Sequence, residues 1–436
     1  MRELQRTYRG RATPRDEPET TSDVERALVI ASLDASADEV KDHLDEFAAL
    51  LDTAGAEVMD RLVQRRERPD PRTYLGAGRL AELKETAKES GPDLIAAATE
   101  LTPGQQRALE DALSIRVVDR TAVILDIFAQ HAKTAEGKLQ VELAQLEYSY
   151  ARQEGLWQHL ERLGGGVGTR GPGESQLESD RRLVRNRMGA LRRRLRGVAR
   201  SRETMRSRRM ASSTPRIALA GYTNAGKSSL MNALTGAGTS VDDALFETLD
   251  PTTRALEVGG HKVLLSDTVG FVRDLPHQLV EAFTSTLDEV RDADLLLHVA
   301  DATESEARRE VQAEAVEAVL EEIGAGEIPR LTVMNKLDRL PHDERIALVN
   351  RFPDAILTSA HSGVGLDEVR GRLADLARGR LTAIDVTIPY ARGELLSSVY
   401  AAGREVAEEA TPEGTRMRAL MPAPDAARLM AALARG

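Results

Sequence analysis

The tract Gly221-Tyr222-Thr223-Asn224-Ala225-Gly226-Lys227-Ser228 constrains this chain more than any other part of it. It fits the pattern G-x-x-x-x-G-K-[ST]. The apolar run Ile217-Ala218-Leu219-Ala220 before it predicts a buried strand, and Ser229 to Leu234 after it predicts the first turns of a helix. Strand, tight glycine turn and helix start together aim backbone N–H groups and the positive helix end at an anion. In such a loop the lysine, Lys227, reaches the outer phosphates of a nucleotide and the hydroxyl of Ser228 ligates Mg²⁺.

The loop alone does not choose the base. Asn335-Lys336-Leu337-Asp338 follows the strand-like run Leu331 to Met334, about a hundred residues further on. A carboxylate there accepts both N–H donors of guanine. Adenine has no such donor pair and leaves Asp338 unsatisfied, which is a strong basis for rejection. Asn335 is expected to hold the loop and approach the guanine edge, and the Lys336 stem to cover the ring. Ser359-Ala360-His361, after the strand-like Ile356 to Thr358, could offer backbone N–H groups to guanine.

Two more pieces fall in order between these. Asp267-Thr268-Val269-Gly270 ends the apolar run Val263 to Leu265, where a carboxylate can hold Mg²⁺ through water and the glycine N–H can meet a γ-phosphate. Phe246-Glu247-Thr248-Leu249-Asp250, continuing to Arg254, reads as a loop whose hydroxyl closes on the metal only while that phosphate is present. Thr248 is the first candidate, with Thr252 and Thr253 as competitors. Phe271 stands where many small GTPases carry the glutamine that orients the attacking water. Slow intrinsic hydrolysis follows unless a partner or another residue positions the water. The alternative is that backbone groups orient it and Phe271 simply packs.

At 436 residues the chain is too long for a single core and calls for about three domains. It has no cysteine, which excludes disulfides and thiolate metal sites. No apolar run has membrane-spanning length, and Met1 to Arg6 lacks a signal-peptide core, so a soluble cytoplasmic protein is expected. The net charge of −11 argues against polyanion binding, but its distribution does not. Thirteen arginines and one acid, Glu203, lie between Arg181 and Arg209, a local +12 set in a remainder of −23. That asymmetry marks a segment built to meet a polyanion.

The fold expected is multidomain α/β. Residues 1–22 read as a disordered leader and 23–135 as an α/β domain with a mostly parallel sheet. Over 136–210, Leu139, Leu143, Leu146, Tyr150, Gln153, Trp157 and Leu160 repeat at heptad spacing. So do Leu177, Arg181, Val184, Met188, Leu191, Leu195, Val198, Arg202 and Met205. The glycine-rich stretch 164–173 cannot continue a helix, so an antiparallel coiled-coil hairpin with a flexible tip is expected. Its second helix, from Glu174 to Arg209, would run about 50 Å at 1.5 Å per residue. Arg170, Arg181, Arg182, Arg185, Arg192 and Arg193 are its candidate RNA phosphate contacts. A P-loop domain with a mostly parallel sheet is expected over 214–378 and a small α/β domain over 383–436.

These residues resemble the HflX-type ribosome-associated GTPases over nearly the whole chain. The resemblance is most specific in Gly168-Thr169-Arg170-Gly171-Pro172-Gly173-Glu174-Ser175-Gln176-Leu177-Glu178 with Asp180-Arg181-Arg182, and in the run from Glu136 to Leu146. Gly221 to Ser228 and Leu249-Asp250-Pro251-Thr252 match as well. Ser175 departs from the family's usual threonine and Glu247 from its usual small residue. The resemblance implies Thr248 as the switch ligand of Mg²⁺. It implies binding of the large ribosomal subunit with the tip near the peptidyl-transferase region, and GTP hydrolysis to GDP stimulated by that subunit. In some relatives it implies splitting of stalled ribosomes; assembly of the large subunit is a further option that the sequence does not separate from rescue, and a monomer off the ribosome is expected. An ATP-dependent RNA-remodelling activity is ascribed to the N-terminal domain of some relatives, but this sequence has no second phosphate loop. The competing reading is a GTP-dependent adaptor that docks a protein partner on the hairpin.

Overall fold

The computed structural model describes residues 24–163, 172–210, 214–237, 245–246, 248–274 and 284–434. The leader, Arg170 with the tip loop, and Glu247 lie outside the described residues. So do the side chains of the seam positions from Gln153 to Leu177 and beyond Arg200.

The first unit runs β1 (Glu25–Leu33), α1 (Ala37–Ala54), β2 (Ala56–Arg65), α2 (Ala77–Ser90), β3 (Leu94–Ala97), α3 (Pro103–Leu113), β4 (Arg116–Asp119) and α4 (Arg120–His131). Its four strands are all parallel, in the order β2-β1-β3-β4. The apolar run Ala27 to Ala31 is buried on both faces, as a parallel strand between helices must be. Ser36 and Thr102 open α1 and α3 with reciprocal capping boxes.

Two long helices follow, α5 (Ala135–Leu163) and α6 (Pro172–Met210). Leu143, Met188 and Leu191 are buried between them, flanked by Leu139, Leu146, Tyr150, Val184 and Leu195. These are the residues that the heptad spacing picked out.

The third unit comprises β5 (Arg216–Ala220), α7 (Lys227–Thr235), β6 (Thr252–Val258), β7 (His261–Asp267), α8 (Thr284–Arg291), β8 (Leu295–Asp301), α9 (Glu306–Glu322), β9 (Arg330–Asn335), α10 (His342–Arg351), β10 (Ile356–Leu357) and α11 (Leu366–Gly379). Its sheet has the order β10-β9-β8-β5-β7-β6 and is parallel except for the antiparallel β6. One apolar cluster continues from the first unit into this one. Phe47, Ile124 and Phe128 share it with Phe246, Leu249, Val269 and Phe271. The Phe128 and Phe246 rings meet edge-on at 4.7 Å.

The last unit holds β11 (Leu381–Ile388), α12 (Gly393–Ala402), β12 (Arg404–Thr411), β13 (Gly414–Pro422) and α13 (Ala423–Ala434). Its three strands are antiparallel in the order β11-β13-β12. The sequence reading had no strand at β12. Arg-Glu-Val-Ala-Glu-Glu-Ala-Thr is almost wholly exposed and rich in weak strand formers, so neither alternation nor propensity announces it. Among the described residues no helix is long and apolar enough to cross a membrane.

Candidate functional site: a phosphate loop, a carboxylate with two hydroxyls, and a base pocket

The phosphate loop leaves β5 at Ala220 and enters α7 at Lys227. Gly226 precedes the helix with φ +87°, and no side chain caps the first turn. Its N–H groups are thus left for an external anion. A Cβ on Gly226 would stand 2.3 Å from Asn335 Nδ2, so only glycine lets the loop approach the base-side tetrapeptide. The loop borders a cleft of about 710 Å³.

Lys227 is buried, and its ammonium donates to the carbonyls of Gly221 (3.1 Å) and Tyr222 (2.8 Å). Burial pushes it down to about 8, against the attraction of Asp267. A phosphate demands the charged form, so binding above pH 8 must recapture a proton. GTP affinity is therefore expected to be flat from pH 7 to 8 and to fall beyond 8, by up to about tenfold per pH unit. Fluorescent-nucleotide titrations between pH 7 and 9 read this slope, and Lys227→Ala should flatten it.

Ser228, Thr248 and Asp267 converge although they come from α7, the loop before β6, and the end of β7. Ser228 Oγ donates to Asp267 Oδ2 at 2.6 Å, Thr248 Oγ1 donates to the same oxygen at 2.9 Å, and the two hydroxyls are 3.0 Å apart. Asp267 is buried and its Oδ1 has no hydrogen-bond partner. An orphaned buried carboxylate oxygen beside two hydroxyls is a set of hard oxygen donors, and it fits Mg²⁺. Of the competitors of Thr248, Thr253 Oγ1 lies 2.8 Å from Ser266 Oγ, while Thr252 enters β6 opposite Asp267 and is exposed.

At the other end of the cleft Asn335 is a brace. Its Nδ2 donates to Ala225 O at 3.1 Å, and its Oδ1 accepts from Ala360 N at 3.1 Å. Lys336 adopts φ 66° and pairs with Asp301 at 2.8 Å. Asp338 is exposed at the pocket mouth and accepts from Ser359 Oγ at 2.5 Å; that bond holds its carboxyl below the usual range.

Of the residues expected at the nucleotide, Gly221, Tyr222, Ala225, Leu249, Asp250, Asp267, Val269, Leu337 and Ser359 lie outside the lining of the cleft. Leu249 and Val269 are taken up by the apolar cluster shared with the first unit, and Leu337 by a smaller one beneath β9. The Asp250 carboxylate is bound to Lys133 and Thr134. Ser359 N donates to Val364 O, and Ala360 N is used by Asn335, so these two N–H groups serve the scaffold. Asn335 holds the loop, as its place in the tetrapeptide predicts, and also lines the cleft. Asn224, Thr268, Gly270 and His361 do line the cleft, together with Ser229, Asn232 and Arg339, which no motif had flagged.

Phe271 is wholly buried. Its N–H donates to Gly221 O at 3.1 Å and its carbonyl accepts from Thr223 N at 2.8 Å. The residue locks the segment after Asp267 to the phosphate loop, and its ring packs inward.

Comparison with known proteins decides the family. Three family models cover the chain in succession: GTP-binding GTPase N-terminal over 41–129, GTP-binding GTPase Middle Region over 131–209, and 50S ribosome-binding GTPase over 216–336. The GTPase HflX of Lacrimispora saccharolytica is 44% identical over 91% of this chain and 94% of its own. That of Escherichia coli K12 is 42% identical over 87% and 89%. The chain belongs to the HflX GTPase family. It is an enzyme that hydrolyses GTP. Among solved structures, a GTP-binding protein from the archaeon Sulfolobus solfataricus in complex with GDP is 25% identical, with a TM-score of 0.43. The match covers 81% of this chain and 98% of that one.

HflX motifs pointed to the cleft and missed the struts behind it. Tyr222 Oη donates to Glu46 Oε2 on α1 at 2.5 Å and accepts from Arg273 N at 2.7 Å. The buried Arg120 pairs with Glu46 and donates to Arg273 O at 3.0 Å. No spacing in the sequence signals contacts this remote.

Proposed function

We propose that this HflX GTPase binds the large ribosomal subunit through the α5–α6 arm and hydrolyses GTP in a subunit-stimulated cycle, acting on stalled ribosomes or in subunit assembly. The units are read as 23–135, 136–210, 214–378 and 383–436. The observation that carries the proposal is the arm's charge. Arg182, Arg193, Arg194 and Arg196 are exposed on α6. Some arginines are already engaged by the facing helix. Arg187 pairs with Glu142 at 2.7 Å, Arg192 with Glu147 at 2.8 Å, and Arg185 donates to Tyr150 Oη at 2.6 Å. Arg185 and Arg192 thus brace the hairpin while remaining exposed, and with the other exposed arginines they are the candidates for phosphates. Arg181 stacks over Tyr150 at 5.6 Å. The family model over 216–336, described as a 50S ribosome-binding GTPase, supports the same reading.

In the nucleotide site, the loop N–H groups and Lys227 take the β- and γ-phosphates, and Asp338 takes the guanine donors. Ser228 and Thr248 would hold Mg²⁺, with Asp267 reaching it through water, and the ion would supply neutralisation of the phosphate charge. Thr248 would turn an oxygen lone pair to the metal while its O–H stays on Asp267, and closing of the loop in this way only while the third phosphate is present would make it responsive to that phosphate. Phe271 donates nothing to the attacking water, so its orientation falls to main-chain groups and to the bound subunit.

Co-sedimentation of the full chain with 50S subunits across a salt series tests this. Affinity is expected to fall by about 10³-fold between 50 and 200 mM salt, as phosphate-dominated binding does. Single-turnover hydrolysis should rise when the subunit is added. Capture by a protein partner with no 50S binding, or no stimulation of hydrolysis, overturns the proposal.

A further inference from the structure

The carboxylate of Asp250 caps the first arm helix. Its Oδ2 accepts from Lys133 N and Thr134 N, both at 2.8 Å, and its Oδ1 accepts from Thr134 Oγ1 at 2.5 Å. Thr134 Oγ1 in turn accepts from Gly137 N at 2.9 Å, inside the first turn of α5. A Cβ at Gly137 would stand 2.6 Å from Asp250 Oδ1. The glycine is what lets an acid from another unit reach this positive helix end.

The bond matters because of where Asp250 sits in the chain. Two residues earlier, Thr248 joins Ser228 and Asp267. Between them Leu249 is sunk in the apolar cluster with Phe128 and Val141. Two residues later, Thr252 enters the sheet opposite Asp267. Five residues are thus pinned at the metal-site hydroxyls, at the arm and at the sheet. Release of the Thr248 hydroxyl therefore bears on a short segment that also carries Asp250.

We propose that Asp250 is a positioning residue of the nucleotide site, which ties the Thr248 hydroxyl to the N-terminus of the arm. The inference rests on the reading of Thr248 as the hydroxyl that answers the third phosphate. With GTP the Thr248 and Asp250 contacts are held together, and with GDP both loosen and free the seating of α5. By reciprocity, an arm held on its partner changes the relative affinities for GTP and GDP.

The test uses the full chain with Mg²⁺ and two fluorescent nucleotides, GDP and non-hydrolysable GMPPNP, in the wild type, Asp250→Ala, Thr134→Ala and Thr248→Ala. Asp250→Ala is expected to lower the GMPPNP-to-GDP affinity ratio about tenfold, the size of one lost charge-assisted hydrogen bond, while leaving GDP affinity unchanged. Thr134→Ala should move the ratio in the same direction, and the double variant should add nothing further. Hydrogen exchange at residues 133–138 should differ between the two nucleotides in the wild type and not in Asp250→Ala. Equal loss for both nucleotides in Asp250→Ala makes the residue merely structural and overturns the proposal. A ratio that falls in Thr248→Ala but not in Asp250→Ala overturns the coupling and leaves the Thr248 reading standing. A ratio unmoved by Thr248→Ala sinks both.

Discussion

Replacing Lys227 by alanine is expected to reduce single-turnover GTP hydrolysis by about 10²–10³ or more, the scale of losing one charged donor aimed at developing charge. The ammonium is already desolvated and is held by the carbonyls of Gly221 and Tyr222 before any nucleotide arrives. It needs no reorganisation when charge builds on the leaving phosphate. Lys227→Arg should not rescue, because a planar fork cannot sit between two carbonyls built around a compact ammonium. The stability readout runs the other way. A buried cation whose desolvation outweighs the pull of two carbonyls and Asp267 contributes little to folding, so Lys227→Met should melt at or above the wild-type temperature without nucleotide. Turnover within threefold of wild type would remove Lys227 from the phosphate site.

Asp338→Asn is expected to exchange base preference. The carboxylate accepts both guanine donors, and an amide must present one donor of its own. GTP affinity should fall by about 10²–10³ while XTP, which carries a carbonyl in place of the exocyclic amine, gains. Ser359 donates to Asp338 at 2.5 Å, and its hydroxyl can equally serve the amide oxygen, so the variant keeps its local geometry. Competition titrations with GTP, XTP and ATP measure the exchange. If GTP and XTP keep their wild-type ratio, Asp338 does not touch the base.

Much of the cleft could be read from sequence because its signals are local. The phosphate loop, Asp267 at a strand end and Asn335 to Asp338 each lie next to the strand that carries them, so a short window contains both the motif and its support. Thr248 could not be separated from Thr252 and Thr253 in that way. What distinguishes it is long-range: the Thr248 hydroxyl meets Ser228 and Asp267 across elements, while Thr253 bonds Ser266. Strand β12 escaped because it is exposed and acidic. The link from Tyr222 to Glu46 spans 176 residues, and such pairs leave no periodicity or spacing behind. Asp250 shows the reverse: its neighbours in sequence point to the nucleotide, while its carboxylate bonds Lys133 and Thr134 at the start of a helix in another unit.

The apolar cluster common to the first unit and the GTPase unit has a practical consequence for dissection by truncation. A fragment beginning at residue 214 would keep every nucleotide motif, yet it would expose Phe246, Leu249 and the surroundings of Phe271 to water. The segments that sense nucleotide would then lack the wall that shapes them. Kinetics measured on such a fragment would describe a stickier protein with a differently set switch, and the α1 and α4 surface is better regarded as part of the enzyme's active-site scaffold than as an appendage to it.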